Sequence, residues 1–250
     1  MLFLLTGEIQ IGKTRWLEGL AAELTRQGVP VAGVLAPGQW VPSAGERADA
    51  SGFEKLGIDN VLLPSGERVP FARRSDLARA DGTFDEESQA ARAELAWHIS
   101  DGAIARVNAH FDALAGEAPS AAAAAGADAA SGGAAVETAR AVDSVRDGAP
   151  MDASDDVAIG GADAEAATAV PGLLIVDELG RLELWRGEGL TSAVALFQRG
   201  PTPAFPHALV VVRDYLADKA EALLAPAWLD IARIEPTEAA KQGVLSAFQS

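Results

Sequence analysis

The stretch that decides the fold reads Leu2-Phe3-Leu4-Leu5-Thr6-Gly7-Glu8-Ile9-Gln10-Ile11-Gly12-Lys13-Thr14. Leu2 to Leu5 is a short unbroken apolar run, as expected of a strand buried on both faces in a parallel sheet. Gly7 to Thr14 fits the spacing G-x-x-x-x-G-K-[ST]. A loop that wraps a phosphate must turn successive backbone N–H groups inward, and glycine is needed where no Cβ fits. After Lys13, the residues Trp16, Leu17, Leu20, Ala21 and Leu24 recur at helical spacing, and Gly28 ends the run. The helix therefore begins on the lysine and aims its positive end at the same anion. Lys13 is expected to reach the β- and γ-phosphates as a mobile charge, and Thr14 to offer its hydroxyl to Mg²⁺. The candidate nucleotide-binding residues are Gly7, Glu8, Ile9, Gln10, Ile11, Gly12, Lys13, Thr14 and Arg15.

A second apolar run, Leu173 to Val176, ends in Asp177-Glu178. Strands that run parallel present their C-terminal ends on one edge, so this acidic pair can meet the glycine loop there. Asp177 is the candidate Mg²⁺ ligand beside Thr14. Glu178 is the candidate for orienting and activating an attacking water, and Lys13 and Glu178 are the candidate catalytic residues.

Between and beyond these runs, strands alternate with helices. Val31 to Leu35, Ala208 to Val212 and Ile231 to Ile234 read as strands. Residues 101–115, 188–199 and 216–224 read as helices, and Pro236 opens a last one. Residues 36–50 read as a polar loop. Residues 51–57 and 60–73 suggest short strands of a small antiparallel hairpin excursion, with turns at Gly57-Ile58-Asp59 and Pro64-Ser65-Gly66-Glu67. The pattern is that of an α/β domain with a mostly parallel sheet flanked by helices.

The 250 residues include no cysteine, which excludes disulfides, thiol catalysis and Cys-ligated metal. The three histidines, His98, His110 and His207, have no partner spacing and read as non-catalytic. The net charge of −16 disfavours broad binding to nucleic acid or anionic lipid. Half of that charge lies in residues 116–170, which hold ten acidic residues, two arginines and no aromatic residue. Such a segment buries too little apolar surface to offset its ordering entropy. One domain is therefore expected over 1–115 and 172–250, interrupted at 116–171 by a disordered acidic, Ala/Gly-rich linker. The N-terminus has no basic leader and no long apolar stretch, so a soluble, cytoplasmic protein is expected.

Taken together, Leu5-Thr6-Gly7 through Thr14 and Ile175 through Leu184 resemble the THEP1-type nucleoside-triphosphatase family, whose second signature reads roughly D-E-[IL]-G-x-[ML]-E-L. Gly33-Val34-Leu35, Arg47 and Ser51-Gly52-Phe53 are similar to that family's strand, arginine loop and following strand, and Trp97 to Leu114 to its next helix. Arg15 stands where the family often has a second threonine. The resemblance implies a RecA-like P-loop fold and slow hydrolysis of ATP, GTP and other nucleotides with loose base choice.

Three readings compete. The leading one is a Mg²⁺-dependent nucleoside triphosphatase. The second is a small-molecule or nucleotide kinase using the same loop, with an acceptor pocket formed by residues 36–50 and the hairpins. The third is a nucleotide-gated adaptor with negligible hydrolysis. Trp40 is the best candidate for stacking on a base, ahead of Trp16, Trp97 and Trp185. Arg47 is a candidate charge-stabilising finger. Glu183 is a candidate brace for the loop after the acidic pair.

Overall fold

A computed structural model of the chain describes residues 1–8, 10–117 and 170–249. Ile9, Ser250 and 118–169, which is nearly all of the expected linker, lie outside the described residues.

The described residues form one nine-stranded sheet flanked by helices. Its elements are β1 (Leu2–Leu5), α1 (Lys13–Arg26), β2 (Val31–Leu35), β3 (Gly38–Pro42), β4 (Phe53–Leu63), β5 (Glu67–Arg74), α2 (Ser75–Ala80), α3 (Gln89–Arg92), β6 (Trp97–Ile99) and α4 (Asp101–Glu117). There follow β7 (Leu173–Leu179), α5 (Thr191–Gln198), β8 (His207–Val212), α6 (Ala217–Leu224), β9 (Ile231–Ile234) and α7 (Glu238–Ser246). A π-helical turn, Leu182–Arg186, lies between β7 and α5.

One half of the sheet is parallel, in the order β2-β7-β8-β1-β9. This is the P-loop arrangement expected. β8 separates the strand that leads into the glycine loop from the strand that carries the acidic pair. Successive strand residues face opposite sides. On one side Leu2, Leu4, Val176 and Val210 pack against α4, α5 and α6, through Val107, Phe111, Phe197 and Leu224. On the other, Phe3, Leu5, Ile175 and Val211 pack against α1 and α7, through Leu17, Leu20, Leu24 and Val244. Both faces being covered explains why these strands read as continuous apolar runs.

The other half is antiparallel and larger than the hairpin excursion expected. β4 pairs β2 through Val61, Leu62 and Leu63, and β3 through residues 53–58. β5 and β6 follow on its other side. β3 lies within the stretch expected to be loop. The expected turn at Gly57-Ile58-Asp59 is a register shift inside one continuous strand. Glycine is required at 57 because a Cβ would approach Ala72 O to 2.8 Å. A glycine within a strand marks such a bulge or close approach as readily as a turn.

Because β4 continues past the C-terminal end of β2, β3 and the first half of β4 overhang the edge where the glycine loop and the acidic pair lie. Among the described residues no helix is long and apolar enough to cross a membrane.

Candidate functional site

The site is built where β1, β7 and β8 end. After β1 the chain turns at Gly7 with φ 128°, a conformation glycine adopts and other residues rarely do. A Cβ on Gly7 would also run into the end of the Ile11 side chain. Gln10, with φ 66°, and Gly12, with φ 93°, complete the loop. Gly12 occupies the N-cap of α1, and no side chain caps that helix. The first-turn N–H groups of α1 are therefore left to a ligand or water.

Lys13 folds back over the loop. Its Nζ donates to Gly7 O at 2.6 Å and to Glu8 O at 2.7 Å. Thr14 Oγ1 donates to Asp177 Oδ1 at 3.3 Å, so the loop and the acid-bearing strand meet across the intervening β8. The other carboxylate oxygen, Asp177 Oδ2, accepts from the Ala36 N–H at 2.9 Å, which fixes the side chain from β2 as well. Asp177 is only 6% exposed. Burial pushes its carboxyl up to about 6, against the two hydrogen bonds that favour the charged form. Ile9 lies outside the described residues. Ile11 and Arg15 point to solvent.

Glu178 sits one residue on, with φ 100°, an uncommon backbone for glutamate. A bulge between Val176 and Leu179 in the β7–β8 pairing makes room for it. The twist turns its side chain towards β8, where Glu178 Oε1 accepts from Arg213 Nε at 2.7 Å. Both side chains remain about two-fifths exposed. The next residue, Asp214, accepts the Gly7 N–H at 2.6 Å and anchors the entry of the loop. Sequence reading missed Asp214. Its signal was its place, two residues past the apolar run of a parallel strand.

Glu183 braces the loop beyond the acidic pair. Its carboxylate accepts from Gly180 N at 2.8 Å and from Leu190 N at 3.0 Å. Burial raises its pKa above the usual carboxylate range. Trp16 donates to Thr237 O at 2.9 Å and ties α1 to α7. Trp185 lies at the surface against Tyr215 and Arg181. Trp40 belongs to β3, on the overhang. Arg47 pairs with Asp76 at 2.5 Å. Gln10, Trp40, Arg47, Phe53, Lys55 and Arg74 line a cleft of about 250 Å³ between the glycine loop and the overhang.

Among the described residues no three His, Asp or Glu side chains converge as a metal cage. The donors present are a hydroxyl and a carboxylate, both hard oxygen ligands. They suit Mg²⁺, which takes one or two protein oxygens and completes its shell with phosphates and water.

No family model and no curated protein matches this chain. A solved structure described as "Solution Structure of a Human Cancer-Related Nucleoside Triphosphatase" aligns over 99% of this chain and 96% of its own, with 16% identity and a TM-score of 0.48. At that level of likeness neither activity nor residue roles pass from one chain to the other.

Proposed function

We propose that this chain is a Mg²⁺-dependent nucleoside triphosphatase that hydrolyses ATP, GTP and related nucleotides to the diphosphate and phosphate. The observation that carries this reading is the convergence of Lys13, Thr14 and Asp177 on one glycine loop, with Thr14 Oγ1 3.3 Å from Asp177 Oδ1. The sequence likeness to THEP1-type triphosphatases agrees with it.

In this reading the triphosphate lies along Gly7–Thr14, held by loop N–H groups and the N-terminal end of α1. Lys13 exchanges its two carbonyl partners for phosphate oxygens. Thr14 and Asp177 hold the Mg²⁺, which neutralises phosphate charge when bound. Glu178 orients the attacking water and accepts its proton. The Arg213 guanidinium, hydrogen-bonded to Glu178, fixes the direction of its carboxylate. Catalysis then rests on positioning and charge stabilisation, as in phosphoryl transfer generally.

The test is phosphate release from ATP, GTP, CTP and UTP with Mg²⁺, comparing the protein with Lys13→Ala and Glu178→Gln. Release that is slow, broad in base and lost in both variants is expected. Tight nucleotide binding with no release above the Lys13→Ala background overturns the reading. The cleft beside Gln10 favours one second reading, transfer to a small acceptor. That reading requires ATP consumption to depend on an added acceptor.

A further inference from the structure

Lys55 lies on β4, on the overhang above the edge that carries Lys13, Asp177 and Glu178. Its ammonium is 5.9 Å from the centre of the Trp40 ring and 5.6 Å from that of the Trp97 ring. The floor beneath it is the backbone of Gly38. A Cβ there would come within 2.7 Å of Lys55 Cε and 2.5 Å of Trp40 Nε1, so glycine lets the lysine stem and the indole lie down together. Two indoles and a glycine floor hold a side chain that on an open strand would sample many rotamers.

The ammonium makes no ion pair with any described residue. The other two cations of the cleft are committed: Arg47 to Asp76, and Arg74 to Glu54 and Asp76. Burial lowers the pKa of Lys55, while Glu178 and then Asp177 favour its charged form and Arg213 opposes it. Lys55 is therefore a half-buried, pre-positioned cation whose electrostatic neighbours are the acidic pair. It shares a cleft with Gln10 of the glycine loop.

A triphosphate held along Gly7–Thr14 would carry its terminal, most highly charged group along the sheet edge that Lys55 overhangs, and Gln10 joins that edge to the cleft. On the hydrolase reading above, we infer that Lys55 is a catalytic residue whose ammonium binds the γ-phosphoryl group from the overhang, while Lys13 binds it from the loop. In the reaction the water oxygen bonds to the γ-phosphorus as the bond from that phosphorus to the β–γ bridging oxygen breaks. The electron pair leaves with the diphosphate, and the water's proton passes to Glu178. Lys55 keeps its proton throughout and stabilises charge on the transferring oxygens, where a pre-oriented donor counts most.

The test uses the full chain with Lys55→Met, which keeps the stem between the indoles, and Lys55→Arg, which keeps the charge. Lys55→Gln replaces the first variant should it fail to fold. The measurements are steady-state phosphate release, ATP and ADP affinity by calorimetry, and trapping of Mg·ADP with aluminium fluoride. Lys55→Met is expected to lower kcat by about 10²- to 10³-fold. It is also expected to leave ADP affinity within about twofold and to abolish trapping, with Lys55→Arg recovering at least about tenfold of the lost rate. A kcat within about threefold of the parent, or ADP affinity lost in parallel with turnover, overturns the inference. Should the parent release no phosphate above the Lys13→Ala background, the hydrolase reading fails by itself. Lys55 is then judged on binding: Lys55→Met must weaken ATP at least about tenfold more than ADP, and equal effects on both overturn it.

Discussion

Glu178 carries a conflict between backbone and side chain. Its φ of 100° suits glycine, and a glutamate held there costs on the order of 1–3 kcal/mol. The surrounding bulge and the Arg213 contact maintain it. Strain of this sort concentrates where a side chain must be aimed. Glu178→Gly should therefore raise the denaturation midpoint while abolishing phosphate release. Chemical denaturation and turnover measured on one preparation check both halves, and a variant that is less stable than the parent would show that the backbone is not strained. Lys13, Thr14 and Asp177 could be read from sequence because motif spacing fixes their places. Lys55 could not. Nothing local distinguishes it from a solvated strand lysine, and its role depends on Gly38, Trp40 and Trp97, which only the folded sheet brings together.

Glu183 acts at the level of elements. It ties the end of β7 to the start of α5 through two backbone N–H groups. Glu183→Ala leaves both donors without their acceptor and should cost about 2–4 kcal/mol in urea unfolding. Its raised pKa adds a pH signature. The folded state holds this proton more tightly than the unfolded chain. The resulting stability is fully present below the unfolded value of about 4.3 and is lost as pH rises through the folded one. The advantage of the parent over Glu183→Gln should therefore shrink as pH rises above about 4, and denaturation measured at a series of rising pH values would detect it. The parallel strands were legible as unbroken apolar runs because both their faces are covered. The antiparallel half was less so. Gly57 and Asp59 are turn-formers locally, yet pairing with β3 and β5 holds them in one strand. β3 is short and mostly exposed and is bounded by Gly38 and Pro42, so its sequence resembles a loop.

At the scale of the whole molecule, one sheet runs unbroken from β9, beside the strand that enters the glycine loop, to the overhang that carries Lys55. β4 belongs to both halves: its last residues pair β2, and its first pair β3. The overhang is thus joined to the loop by ladder hydrogen bonds rather than by a hinge. Many nucleotide enzymes must swing a lid to admit substrate and again to free product, and solvent friction then enters their rate. Among the described residues, a site walled by a continuous sheet has no such stroke to make. Turnover here should be set by bond-breaking, and kcat should stay flat as sucrose thickens the medium about threefold. A rate that falls in proportion to viscosity would instead reveal a diffusive step, and the rigid wall would have to be a moving one.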